Sequence, residues 1–508
     1  MKSSFPLDLS IIEQFSRHAK RAPLATAVED QLGEMTYGEL EARSNQVANY
    51  LLSNGLMPDE SVAVLMNCSR GIVVVLLGIL KAGGCCLPID PDSPDSLISF
   101  FLSDAKANHL LASPDQSLRP CCQCLKTLEI DDGFPSLLDQ SASDPARKTD
   151  PRGRAYIFYS SGTTGRPKGI EVEHHSISNL VSFYTSHLNL CRNDRVPLIA
   201  NVAFDIFAGE IWPPLCTGGT LLIPSFQKIL WFDAEEVINF LIESRASLSF
   251  VTPAVVPALF SIQWPATNLR FLYTGGDQLC HRPPPNFPYP FYNGYGPTEN
   301  TVWSTWSLVR SDGGNQFPPI GKPLDGVIVY LLDEEQKPVN LGAEGEIYLG
   351  GRQVVRGYLN LPELTLEKFL SDPFSEQPGS RMYRTGDWGR FLPDGELEFL
   401  GRRDDQVQLG GVRIELNGIN ALIIAHPAVK DACCRPLIKD GLCVRLVAHI
   451  VPREFGNPDT DLLPDLRTYL CEKLHFSMVP TKFFFHKSLP ATPRGKVDKK
   501  ALDLIATV

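Results

Sequence analysis

The sequence predicts an α/β protein that ends in a smaller α+β unit. Three observations carry this. Strand-like and helix-like segments alternate along most of the chain. The 508 residues suffice for several packed layers and favour two or more domains. Charged residues and glycines break the pattern at Gly401 to Gly411, and a short helix near Leu416 to Ala425, a strand near Cys443 to Val451 and a helix near Leu462 to Leu474 follow.

In chain order, Thr36 and Glu39 read as a capping box opening a helix with Leu40, Val47 and Leu51 on its inner side. Gly55 stops that helix. Ser61 to Met66 reads as a strand, Gly71 to Lys81 as a buried helix closed by Gly83-Gly84, and Cys85 to Ile89 as a strand. Ala155 to Tyr159 is a strand that runs into a Gly/Ser/Thr-rich loop. His281 to Pro290 is proline-rich and predicts an irregular connection.

Composition is that of an average soluble globular protein, 43% hydrophobic and 21% charged. A net charge of -11 argues against general nucleic-acid affinity. The basic residues Arg494, Lys496, Lys499 and Lys500 read on composition as a solvated face. The apolar run Gly71 to Leu80 is too short to span a bilayer. Thirteen cysteines without framework spacing, and an N-terminus without a basic-then-apolar leader, predict a reducing, cytoplasmic setting. Cys121, Cys122 and Cys124 lack a second ligand pair at metal-site spacing and read as buried or incidental thiols.

Five segments carry candidate chemistry. In Ser160 to Gly169, Gly162 and Gly165 free the backbone to aim N–H groups at an anion. Ser161, Thr163 and Thr164 add hydroxyls, and Lys168 adds a cation. The spacing is not that of a Walker loop, and a flexible turn is the plain alternative. In Asn293 to Glu299, Tyr295 can stack on a base and Glu299 can hold a hard cation; a simple turn is the alternative. Tyr383 to Asp387 offers a carboxylate for a ribose, or a strand-end turn. Gly401 to Gln406, taken alone, reads better as a salt-bridged linker. Pro493 to Asp498 sets Lys496 at a glycine turn.

Taken in order, these segments resemble the core motifs of the adenylate-forming superfamily, which includes the adenylation domains of nonribosomal peptide synthetases, acyl-CoA ligases and luciferases. The resemblance spans almost the whole chain, from Met35-Thr36-Tyr37-Gly38-Glu39-Leu40 and Leu80 to Gly84 through Gly345-Glu346-Ile347 and Arg356-Gly357-Tyr358-Leu359 to Gly495-Lys496. Leu87-Pro88-Ile89-Asp90 and Tyr295-Gly296-Pro297-Thr298-Glu299 look most like the peptide-synthetase branch.

The resemblance implies a large N-terminal domain of mixed sheets flanked by helices over 1–403, and a small mobile α+β domain over 404–508 hinged at Asp404. It implies ATP and Mg²⁺ as cofactors, with a substrate carboxylate attacking the α-phosphorus and pyrophosphate leaving. Ser161, Gly162, Thr163, Thr164, Gly165 and Lys168 are then expected to hold the leaving phosphates, with Mg²⁺ on Glu299 and Thr164. Asn293 and Tyr295 are expected at the adenine, Thr298 beside them, and Asp387 with Arg402 at the ribose. Lys496 is expected to bridge the carboxylate and the α-phosphate. After adenylation, the resemblance implies a swing that replaces Lys496 with the loop from Gln406 to Arg413. Gln408 and Gly410 stand where that loop usually carries Lys and Arg.

By the same resemblance, Asp205 pairs with the ammonium of an α-amino acid. Its pocket is lined by Ile206, Gly209, Phe250, Tyr273, Gly275, Gly294, Val302 and Trp303. Three glycines are expected to leave room and aromatics to wall it, which favours a hydrophobic or aromatic amino acid. The expected partner is a carrier protein acting in trans or within a longer parent chain, since no carrier follows Val508. Neither nucleic acid nor membrane is expected. An acyl- or aryl-CoA ligase, an amide-forming ligase and an inactive nucleotide-binding scaffold are the alternatives.

Overall fold

The computed structural model describes residues 9–162, 166–225, 234–312, 317–439, 441–453, 462–491 and 497–506. The alternating segments fold as predicted into a mixed α/β protein. Cys85–Ile89, Ser61–Leu65, His109–Ala112 and Lys126–Glu129 run parallel in one sheet, and Arg154–Ser160 joins it parallel to Cys85–Ile89. Lys168–Glu173 then returns antiparallel to Arg154–Ser160. The glycine-rich loop therefore links two strands instead of opening a helix. A second sheet carries Leu248–Phe250, Phe271–Gly275 and Phe291–Tyr295 in parallel. A third, antiparallel, holds Gly345–Gly351, Arg381–Phe391 and Leu397–Arg402.

The largest hydrophobic cluster surrounds the helix Arg70–Lys81, which is buried along nearly its whole length. Such a helix needs no polar face except where it ends in a charge. Lys81 resolves this by donating to Glu41 at 2.6 Å, Asn45 at 2.8 Å and the Ser44 hydroxyl at 2.9 Å. Those acceptors sit on the neighbouring helix Tyr37–Ser53, which opens with the predicted capping box from Thr36 and Glu39.

Gly401 to Gly411 marks the change of architecture. A hairpin, Gln406–Leu409 and Val412–Glu415, leads into the helix Leu416–Ile424 and a three-stranded sheet. This part has a hydrophobic cluster of its own, centred on Ile414, Ile423, Leu446 and Leu466. It touches the larger part away from the hairpin too: His475 Nε2 lies 3.0 Å from Asp90 Oδ2, and Ser96 donates to the Glu472 carbonyl. His281 to Pro290 has no helix or strand. Tyr383 to Asp387 lies inside the long strand Arg381–Phe391, which corrects the strand-end alternative. Among the described residues, no helix is long and apolar enough to cross a membrane.

The helices Tyr37–Ser53 and Arg70–Lys81 meet at Gly78, where an added Cβ would lie 2.5 Å from Val47 Cβ and 2.9 Å from the Ser44 carbonyl oxygen. Gly78→Ala is expected to cost about 1–3 kcal/mol, since the helices must separate. Urea unfolding should show a lower midpoint at unchanged slope.

Candidate functional site

A cavity of about 910 Å³ opens where the parallel strands Phe271–Gly275 and Phe291–Tyr295 end, beneath the hairpin of the C-terminal part. Ligands favour such strand ends in α/β sheets. Three clusters of side chains line it.

The first is built on Glu299, which sits in the short 3₁₀ turn Thr298–Asn300 and has no solvent exposure. The Tyr358 hydroxyl donates to Oε1 at 2.7 Å, and Arg413 Nη1 lies 3.2 Å from Oε1 and 3.0 Å from Oε2. Lys168 Nζ is 3.8 Å from Oε1 and 4.8 Å from the centre of the Tyr358 ring. Burial alone would raise the Glu299 carboxyl; Arg413 and then Lys168 overcome it and hold the group at about 2. Lys168 is itself lowered to about 8, by burial and then by Arg413. Ser161 joins this cluster: its hydroxyl donates to the Arg413 carbonyl at 2.7 Å and accepts from Glu415 N–H at 3.1 Å. The hairpin thus engages Ser161, one of the side chains expected to meet phosphates. A carboxylate oxygen pair suits a hard cation, so Glu299 fits Mg²⁺.

The second cluster is Asp387, Arg402 and Tyr295. Asp387 faces Arg402 across paired strands, with Nη1 to Oδ1 at 2.5 Å, and the Tyr295 hydroxyl donates to Oδ2 at 2.5 Å. Arg402 also donates through Nε to Asp404 at 2.8 Å. Burial raises the Asp387 carboxyl against the pull of Arg402. Arg402 is therefore bonded to both the carboxylate expected at the ribose and the residue expected at the hinge. Asn293 lines the same cavity and donates to the Pro319 carbonyl at 3.0 Å.

The third cluster surrounds Asp205, just ahead of the helix Ile206–Thr217. Burial raises its carboxyl to about 6, opposed by the Thr298 hydroxyl and by backbone donors at Ile206 and Val302. Thr298, expected beside the nucleotide, is turned to Asp205. Among the described residues, no Lys, Arg or His forms an ion pair with Asp205.

Around Asp205, Ile206, Phe250, Gly275, Gly294, Val302 and Trp303 line the cavity, whereas Gly209 and Tyr273 do not. The expectation that the glycines leave room is corrected here. A Cβ on Gly275 would lie 2.5 Å from the Trp303 ring, and one on Gly294 would lie 2.7 Å from it. At Gly209 the Val302 side chain stands 3.3 Å away. The glycines accommodate the protein's own side chains.

Thr163, Thr164, Gly165 and Lys496 lie outside the described residues. Sequence reasoning missed three participants. Arg413 was seen only as the end of a loop; a lone cation in the apolar hairpin Val407 to Ile414 was the available signal. Tyr358 lay within a recognised motif but had no role assigned. Gln353 gives no local signal: its side-chain amide donates to the carbonyls of Asn300, Thr301 and Trp303 at 3.1, 3.0 and 2.7 Å.

The family described as AMP-binding enzyme matches residues 15–359. Among curated proteins, a linear gramicidin synthase of Brevibacillus parabrevis is 40% identical over 505 residues, covering 97% of this chain and 6% of that protein. Bacitracin synthase 1 of Bacillus licheniformis is 34% identical over 501 residues, covering 99% of this chain and 9% of that protein. The chain thus spans a small fraction of these relatives' length. Among solved structures, a nonribosomal peptide synthetase protein containing adenylation and PCP domains, bound to a vinylsulfonamide inhibitor, superposes with a TM-score of 0.81 at 27% identity, covering 97% of this chain and 84% of that one.

Arg413→Ala removes the main counter-charge of a buried carboxylate, leaving Lys168 and Tyr358. The docked hairpin should weaken by about 3 kcal/mol. Hydrogen exchange should show the amides of Val412–Glu415 opening roughly 10²-fold more often, with the helix Arg70–Lys81 unchanged.

Proposed function

The chain belongs to the AMP-binding enzyme family, and from that premise we propose that it joins the carboxylate of an α-amino acid to AMP. A carboxylate oxygen bonds to the α-phosphorus of ATP, the bond to the β-phosphate oxygen breaks, and pyrophosphate leaves. The observation that carries the amino-acid part is Asp205: a partly buried carboxyl with no Lys, Arg or His in an ion pair with it among the described residues, on the cavity shared by Glu299, Asp387 and Arg402. A buried carboxylate is costly until it is paired, and a substrate ammonium supplies the missing partner.

In this reading Asp387 takes the ribose hydroxyls while Arg402 fixes its orientation. Tyr295 and Asn293 hold the adenine, and Lys168 with the Ser160 to Gly169 loop holds the phosphates. Glu299 and Thr164 would hold Mg²⁺, which would supply positive charge against the departing pyrophosphate. Lys496 bridges the two anions as they approach. The hairpin Gln406–Leu409 and Val412–Glu415 then enters the site, with Arg413 pairing with Glu299. A carrier-protein pantetheine thiol next attacks the adenylate carbonyl. The carbon–sulfur bond forms, the bond to AMP breaks and the thiol gives up its proton. The docked hairpin supports this order of events.

The missing charges at 408 and 410 have a partial structural account. Gly410 and Gly411 have φ of +58° and +82°, as a two-residue hairpin turn of the primed type requires. The lysine or arginine expected at 410 would be strained there.

ATP–pyrophosphate exchange should occur with amino acids. Lys496→Ala should lower it ~10²–10³-fold while ATP still binds; near-normal exchange in that variant contradicts the assignment. Asp205→Ala should impair amino acids far more than acids lacking the amine, and equal losses contradict the ammonium role. Asp205 is ionised above about pH 6 and neutral below it. Accordingly kcat/KM for the amino acid should fall as pH drops through 6, by roughly tenfold per unit. Asp205→Asn should remove that limb.

A further inference from the structure

We infer that the amino-acid pocket is closed by Trp303 and admits only a side chain of glycine or alanine size. This rests on the amino-acid reading of Asp205 and adds the size of the substrate to it.

The pocket floor is the edge where Phe271–Gly275 and Phe291–Tyr295 run side by side, with Gly275 opposite Gly294. Two facing glycines on adjacent strands form a flat recess without side chains. The Trp303 indole lies in that recess, so close that a Cβ at either glycine would overlap it. The recess serves the indole and leaves no depth for a ligand. Behind the indole, Tyr273 is fully buried and off the cavity, at 6.2 Å between ring centres. Tyr273, expected as one of the aromatic walls of a larger pocket, is thus sealed from it.

Trp303 is held in this place. Its indole N–H donates to the Tyr184 hydroxyl at 3.0 Å, and its ring also meets Trp306 at 5.5 Å and Phe250 at 6.3 Å between centres. It is 3% exposed. The preceding backbone is equally committed. Thr301 and Val302 have φ of +55° and +68°, a conformation that β-branched residues rarely adopt. Strain of this kind persists only where the surroundings impose it. Gln353 supplies the constraint by bonding the carbonyls on both sides, at Asn300, Thr301 and Trp303. Two strained residues in succession turn the chain so that Trp303 faces the glycine recess and Val302 covers Gly209.

The test is ATP–pyrophosphate exchange with glycine, alanine, valine, leucine and phenylalanine. Glycine or alanine should exceed leucine and phenylalanine by at least ~10-fold in kcat/KM, the discrimination that excluded methylene groups supply. Trp303→Ala should raise leucine or phenylalanine relative to glycine by at least ~10-fold, and Trp303→Phe should show a smaller shift of the same sign. Fastest exchange by the unaltered protein with leucine or phenylalanine overturns the size assignment and leaves adenylation standing. Exchange with none of the five, and with no other amino acid, overturns the amino-acid reading itself. If Trp303→Ala unfolds, the unaltered protein's size profile and Trp303→Phe still decide the matter.

Discussion

Glu299 has no contact with solvent, and an ionised carboxylate in such a place must be compensated or it will not stay ionised. Three groups from distant parts of the chain compensate it: Lys168 after the glycine-rich loop, Tyr358 from the edge of the seven-stranded sheet, and Arg413 from the C-terminal hairpin. The arrangement of the two parts depends on this requirement. If the hairpin withdraws, the carboxylate loses its strongest partner and another cation must replace it. In the proposed reading, docking of the C-terminal part and binding of a metal at Glu299 would compete for the same carboxylate.

Arg402 ties the second cluster to the residue proposed as the hinge. It is bonded at once to Asp387 and to Asp404, so a rotation at Asp404 necessarily alters what orients Asp387. Ser161 does likewise for the phosphate loop, since its hydroxyl bridges Arg413 and Glu415 in the hairpin. Two of the elements expected to hold the nucleotide, Ser161 and Arg402, thus have a hydrogen bond into the segment that is expected to move.

Much of the fold was legible because local rules settled it. The capping box at Thr36 and Glu39, the apolar run ending at Lys81, and the break near Gly401 each leave a signature within a few residues. The strand-end reading of Tyr383 to Asp387 failed because a positive-φ glycine, Gly386 at +80°, sits inside a continuing strand. The residue types of the site were also legible, as charges placed next to glycines. Their partners were not. Nothing near Glu299 in sequence points to Arg413, 114 positions away. The pocket failed for a related reason. A glycine in sequence signals that a side chain is missing, not whose atoms fill the space, and here Trp303 fills it.

Attack of an amino-acid carboxylate on the α-phosphorus of ATP can be followed by supplying alanine labelled with ¹⁸O in its carboxyl group, trapping the product with hydroxylamine and weighing the released nucleotide by mass spectrometry. AMP carrying one ¹⁸O, unlabelled pyrophosphate and alanine hydroxamate should form. Formation of ADP and phosphate, or of AMP without the label, would contradict that attack.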